Sequence, residues 1–396
     1  MPLDPIEILH ELVAIPSVNP MGEGPMGADG PEAKLTSYLE RLFNRLGAAC
    51  FRQPAEPGRD NLVARFDGEV AAKNGGRLVL LGVHQDTVPT TGMTIPPWTP
   101  TVRDGRLYGR GACDIKGGMA AMLAAVSRLV EGPSTGRPSV VVACTVNEEY
   151  GFSGVKALCR LWAQEPAFLP RKPDLAVVAE PTELQVVVAH KGVLRWRCHA
   201  RGKAAHSSRP ETGDNAIYKM ARAVLAIQRY QNEVVAGLGT HPLCGPATVS
   251  VGTIRGGVSV NTVPDRCTIE IDRRLAPSEK PQEAYRHLVS YLARHAGTSD
   301  PLEHDPPYME GLPLSDEANS ALADRLCGVA REVIGNCRKI GVPYATDGAF
   351  LAAAGIPTVV FGPGSIAQAH TADEWIALEQ VKQAADIYHR FLRGVA

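Results

Sequence analysis

The sequence has little net charge, few aromatic residues and no long apolar run, and each shortage removes a class of protein. Its 41 Lys and Arg nearly balance its 42 Asp and Glu, for a formal net charge of -1. Nothing electrostatic therefore draws it to nucleic acid or to an anionic membrane. No stretch approaches the ~20 apolar residues needed to span a bilayer. The N-terminal "MPLDPIEILHELVAIPSVNP" is acidic and amphipathic, unlike a basic secretory leader. Nine cysteines, an odd number, occur without any Cys-x-x-Cys pair. That speaks against a disulfide framework and a thiolate zinc site, and predicts reduced thiols in a cytoplasmic protein. Familiar catalytic motifs are missing too. His10-Glu11 opens an H-E-x-x-H that fails at Ala14, Gly109 and Gly111 open a G-x-G-x-x-G that fails at Asp114, and no G-x-S-x-G occurs. The failed glycine pattern disfavours a nicotinamide-dependent oxidoreductase.

What is present is a chain of 396 residues, 44% hydrophobic and 21% charged, enough for two domains with ample core. Arg77–Val83, Ser139–Val146 and Asp174–Ala179 are near-continuous apolar runs, the pattern of strands buried on both faces. Between the first two, Met119, Met122, Leu123, Val126, Leu129 and Val130 recur at helical spacing, predicting an amphipathic helix that ends near Gly132. Such alternation predicts an α/β domain with a mostly parallel sheet flanked by helices. Near residue 190 the pattern changes. "GVLRWRCHARG" and "CTIEIDRRL" alternate apolar with polar, and helical segments fall near Asp214–Tyr230 and Lys280–His295. The order strand, helix, strand, strand, helix suggests a smaller α+β domain of ferredoxin-like type. After about residue 305 the α/β style returns with "GIPTVVFGPG". The organisation expected is a catalytic domain in two segments, 1–189 and 305–396, with residues 190–304 inserted between them.

The chemistry sits where the buried strands end. The first ends at His84 and Asp86, the second runs into "NEEYG" with Glu148 and Glu149, and the third ends at Glu180. The last leads through "GPGSIAQAH" to His370, and Asp114 lies just ahead of the helix. In open parallel sheets, ligands bind beyond the carboxyl ends of the strands. Singly these residues say little: a lone His is ordinarily a satisfied polar residue, and a doubled Glu a solvated pair. Gathered at one edge, so many carboxylates would repel one another unless positive charge sat among them. Two divalent cations would supply it. A nitrogen and oxygen donor set without sulfur suits Zn²⁺, with Co²⁺ or Mn²⁺ also possible. His190, His199 and Cys113 neighbour the motifs and read as structural.

"HQDTVP", "GRLYGRGACDIKGGMAA", "NEEYG", "AEPT" and "AHTADEW" together resemble the ordered motifs of the dinuclear zinc aminoacylase and carboxypeptidase family of metallopeptidases. That family includes acetylornithine deacetylase, succinyl-diaminopimelate desuccinylase, aminoacylase and the glutamate carboxypeptidases. The resemblance runs from "LVAIPSVNP" to "AHTADEW", nearly the whole chain. It implies a zinc-peptidase-like catalytic domain with a lid and dimerisation domain inserted. His84 and Glu180 would complete one metal site, Glu149 and His370 the other, and Asp114 would bridge them. Asp86 would fix the His84 ring, and Glu148 would be the general base that activates the attacking water. "GKAAHSSRPETGDNAI" resembles the segment whose histidine, here His206, reaches the active site of a partner subunit. "GGVSVNTVP" and "DRR" resemble the segments contributing Asn261 and a carboxylate-binding Arg274. One departure is Gln85, where relatives commonly carry Thr or Tyr. The activity implied is hydrolysis of the amide bond of an N-acyl amino acid by a cytoplasmic homodimer. A dipeptidase or carboxypeptidase using the same metals is the alternative.

Overall fold

The structure, a computed structural model, describes residues 2–22, 30–298 and 300–395. It divides into two compact units. The larger holds the chain up to Val188, Asp316–Ile340 and Thr346 onward; the smaller holds Ala189–Ser315 and Gly341–Ala345.

The larger unit is built on an eight-stranded sheet: β1 (Ala49–Glu56), β2 (Arg59–Phe66), β3 (Leu78–His84), β4 (Ser139–Thr145), β5 (Leu175–Val178), β6 (Val186–His190), β7 (Lys339–Val342) and β8 (Thr358–Val360). Their order across the sheet is β1-β2-β4-β3-β5-β8-β6-β7. The four central strands β4, β3, β5 and β8 are mutually parallel, whereas β1, β2 and β6 pair antiparallel. Every residue of β3 and β4 is buried, which is why both read as unbroken apolar runs.

Helix Ala33–Arg45 packs on β1 and β2, and four further helices lie in the same layer: α1 (Pro5–Val13), α2 (Gly117–Glu131), α3 (Ser320–Ile334) and α4 (Leu378–Gly394). Asp4 starts α1 by accepting hydrogen bonds from the N–H groups of Ile6 and Glu7 at 2.7 and 3.1 Å, with Pro5 preset in the first turn. The expected amphipathic helix is α2, but nearly all of it is buried. It is wedged between the sheet and α1 and α4, so Leu9, Met122, Val126, Tyr388 and Phe391 share one core with Val79, Leu81 and Val142. Its small residues on the remaining faces (Gly117, Ala120, Ala121, Ala124, Ala125) permit that close packing. No helix of the described residues is long and apolar enough to cross a membrane.

The smaller unit runs strand Gly192–Arg201, helix Ala216–Arg229, strands Thr248–Gly256 and Arg266–Leu275, helix Pro281–His295, strand Glu303–His304. Arg266–Leu275 pairs antiparallel with both Thr248–Gly256 and Gly192–Arg201, and Glu303–His304 closes the far side, giving the ferredoxin-like arrangement. Alternate residues Cys267, Ile269 and Ile271 turn inward against Met220, Ile227 and Leu288 of the two helices. The unit extends past the expected limit of 304, to Ser315. The reason is pairing: Met309–Gly311 continues the ladder along Gly192–Arg201, holding the chain there for another turn. The five residues Gly341–Ala345, which include the end of β7, also count with it, and local sequence pattern does not mark this.

Candidate metal centre

Because β3, β4, β5 and β8 are parallel, the segments that follow them emerge at one edge of the sheet. His84 is the last residue of β3, Glu180 lies two residues beyond β5, and Glu148 and Glu149 follow β4 through a tight turn. Asn147 makes that turn possible with φ of 62°, a left-handed conformation that Asn tolerates better than most residues. His370 arrives on the loop beyond β8, also at positive φ (63°). Asp114 precedes α2.

These side chains converge. His84, Asp114 and Glu180 form one trio, and Asp114, Glu149 and His370 a second; within each, one donor atom per residue lies within 4.8 Å of the others. Asp114 belongs to both. Its Oδ1 is 3.2 Å from His84 Nε2 and its Oδ2 is 3.3 Å from His370 Nε2, while His370 Nε2 is also 3.2 Å from Glu149 Oε1. All are buried except His370, whose side chain is 49% exposed and marks the open side.

Electrostatics make this cluster unstable by itself. Burial pushes the carboxyls of Glu148, Glu149 and Glu180 up, and their acidic neighbours push them further. Burial also acts to raise the Asp114 carboxyl, but hydrogen bonds from His370 and His84 hold it well below the usual range. The same contacts drive His370 up to about 10, and His84 rises well above its ordinary value even though burial opposes it. So many buried acids at one place call for positive charge among them. Each trio offers one imidazole nitrogen and two carboxylates, and Asp114 presents a separate oxygen to each, so the donor set fits a pair of divalent cations. Cys113 stays outside it, its Sγ donating to the Ser365 carbonyl at 3.3 Å.

A layer of polar contacts holds the ligands. The Asp86 carboxylate accepts from the N–H of Glu148 at 3.2 Å, the N–H of Glu149 at 3.1 Å and Asn19 Nδ2 at 2.8 Å. His84 Nδ1 instead sits 2.9 Å from the Asp86 carbonyl oxygen and 3.8 Å from its carboxylate. Asp86 thus orients the His84 ring through its backbone, and its side chain grips the Glu148–Glu149 turn. Gln85 turns away from the donors to Thr36 and the Cys144 carbonyl. Three supporting residues were not anticipated: Asn19, Asp347 and Glu374. Asp347 is buried, accepts from Thr145 Oγ1 at 2.6 Å, and is pushed up to about 6 by burial. Glu374 accepts hydrogen bonds from the loop bearing Asp114. Asn19 and Glu374 lie within "LVAIPSVNP" and "AHTADEW", but only three-dimensional contact distinguishes them from surface polar residues.

The remaining expected residues lie in the smaller unit. His206 is exposed, its Nδ1 2.7 Å from Ser208 Oγ, on a segment bridged to Thr262. The Asn261 carbonyl accepts from Ser207 N–H at 3.0 Å, which places Asn261 beside His206. Arg274 is held by Asp272, with Nε to Oδ1 at 2.7 Å and Nη2 to Oδ2 at 3.2 Å.

Fold and centre together are those of a metal-dependent hydrolase of peptide or amide bonds. The chain belongs to peptidase family M20/M25/M40, whose sequence profile matches residues 80–394. Its fold is similar to that of an M20 metallo-carboxypeptidase of Sulfolobus solfataricus, with 19% identity over 99% of each chain and a TM-score of 0.77. It is also similar to a di-peptidase of Saccharomyces cerevisiae (12% identity, 98% of this chain and 95% of that one, TM-score 0.78). A dinuclear metal-binding peptidase of Bacillus subtilis matches at 17% identity over 99% of this chain and 97% of the other, TM-score 0.67.

Proposed function

We propose that the protein hydrolyses the amide bond of an N-acyl amino acid, as a deacylase resembling acetylornithine deacetylase and succinyl-diaminopimelate desuccinylase. The observation that carries this reading is the juxtaposition of two trios sharing Asp114 with a further buried acid, Glu148. Glu148 belongs to neither trio, and burial and the nearby acids push its carboxyl up, as suits a group that is to take a proton. His84 and Glu180 would hold one cation, Glu149 and His370 the other, and Asp114 both, with Zn²⁺ favoured by the donor set and Co²⁺ or Mn²⁺ acceptable. When bound, such cations polarise the scissile carbonyl and render water acidic enough to attack near neutral pH. Glu148 takes the proton of the attacking water at its carboxylate and returns it to the departing amine nitrogen. Asp86 keeps Glu148 and Glu149 in register by holding both of their backbone N–H groups.

His206 would stabilise the developing oxyanion in the site of a partner subunit. Arg274 and Asn261 would orient the substrate carboxylate, which would compete with Asp272 for the guanidinium fork. A homodimer through the smaller unit is supported by its outer strand Thr248–Gly256, an edge of the sheet among the described residues, followed by Val258 and Val260 at 93% and 100% exposure. None of the nine cysteines is in a disulfide, as suits the reducing cytoplasm.

A dipeptidase or carboxypeptidase is the second reading, favoured by the peptidases among the similar structures. Turnover of metal-loaded protein on N-acetyl and N-succinyl amino acids, measured beside dipeptides and N-blocked peptides, separates the two. Preference for the acyl amino acids is expected; preference for dipeptides would overturn the deacylase assignment.

A further inference from the structure

Glu374 is fully buried, four residues beyond His370, and every acceptor position of its carboxylate is occupied. Oε1 accepts from the backbone N–H of Cys113 at 2.9 Å and of Asp114 at 3.0 Å. Oε2 accepts from the N–H of Gly111 at 3.0 Å and from Arg110 Nη1 at 2.7 Å. Its own carbonyl accepts from Gly109 N–H at 3.0 Å. A carboxylate has about four lone-pair sites, so none remains for a cation, and Glu374 is no ligand itself. The loop is shaped to receive it. Gly111 has φ of 80°, which turns successive N–H groups inward as an anion-binding concavity, and a Cβ there would lie 2.8 Å from Thr87 Cγ2.

We infer that Glu374 is a positioning residue for the metal centre. It ties the segment that carries His370 to the loop that carries Asp114, and so sets the separation of the two ligands. This rests on the reading of Asp114 and His370 as metal ligands. Hydrogen bonds to a backbone N–H at the ligand itself leave Asp114 little freedom to rotate away from His84 and His370. Glu374→Gln keeps the volume but replaces one oxygen with an NH₂ group that faces N–H donors, so at least one pair of these bonds is lost.

The test compares the wild type, E374Q and L326A by Zn²⁺ and Co²⁺ titration, with the visible spectrum of the Co²⁺ form and the melting temperature of the metal-free form. Leu326 is a buried residue of α3 outside the centre and controls for general loss of stability. E374Q is expected to lose about 10–100-fold in metal affinity and to change the Co²⁺ spectrum, whereas L326A changes only the melting temperature. Wild-type affinity and spectrum in E374Q would overturn the inference, as would an equal loss of affinity in L326A. Should E374Q not fold without metal, E374D is read by the same criteria, since a carboxylate one methylene shorter cannot reach all four donors. A wild type that binds neither cation overturns the metal reading beneath it instead.

Discussion

At the scale of single residues, the proposed function gives the neighbours Glu148 and Glu149 two separate jobs. Only Glu149 lies in a donor trio, 3.2 Å from His370. Glu149→Gln should therefore lose one of two cations, while Glu148→Gln should keep both and lose about 10²–10⁴ in turnover. Metal analysis beside turnover checks this; metal loss in Glu148→Gln with retention in Glu149→Gln reverses the assignment. A pH dependence follows from the imidazoles. In the metal-free protein Asp114 and Glu149 push His370 up to about 10, so it is protonated at neutral pH and a cation must displace that proton. Raising the pH removes the competitor. Apparent metal affinity should thus climb with pH, about tenfold per unit for each proton displaced, until the histidine titrates. Calorimetric titration at several pH values measures both affinity and proton release, and an affinity independent of pH would contradict the assignment.

At the scale of elements, the turn after β4 depends on close backbone approach. Gly154 N–H donates to the Val146 carbonyl at 3.1 Å, and Asn61 locks both residues by donating to the Gly154 carbonyl and accepting from the Val146 N–H. A Cβ on Gly154 would stand 2.2 Å from Val146 O, where only backbone movement could relieve the clash. Gly154→Ala should cost about 1–3 kcal/mol in chemical denaturation and weaken metal binding, because Glu148 and Glu149 move with the turn. Unchanged stability and metal content would mean that the turn tolerates displacement. Elements of this unit were unequally legible. β3, β4 and β5 lie within a residue or so of the apolar runs that marked them. The hairpin β1–β2 was not foreseen, since β1 (ACFRQPAE) is an outer strand with mixed burial and no clean alternation. Nor was the small sheet in which Trp375–Ala377 pairs with Arg106–Tyr108, for strands so distant in sequence leave no periodic signal.

At the scale of the whole molecule, the proposed exchange of His206 between subunits makes a distinctive forecast. A dimer of one His206→Ala chain and one Glu149→Gln chain contains a single complete site. Mixing and refolding the two inactive variants should restore roughly a quarter of wild-type turnover if chains pair at random. No recovery, with mixed dimers confirmed by mass spectrometry, removes His206 from the partner's site; a strictly monomeric and fully active protein removes the dimer.

The sequence by itself determined the architecture, and it marked the acids and histidines that are proposed as donors. Continuous apolar runs announce strands buried on both faces, and the acids and histidines at their ends announce where a parallel sheet opens. The far boundary of the smaller unit has no local signal, because Met309–Gly311 is held there by a ladder to a strand over a hundred residues earlier. Only tertiary structure decided how the centre is assembled and supported. It sends the two oxygens of Asp114 to different histidines, turns the Asp86 carboxylate onto the Glu148–Glu149 backbone, and seats Glu374 under the Asp114 loop. These are hydrogen bonds between segments far apart in the chain. Their geometry is fixed by the packing of the sheet and its helices, and no local pattern of residues encodes it.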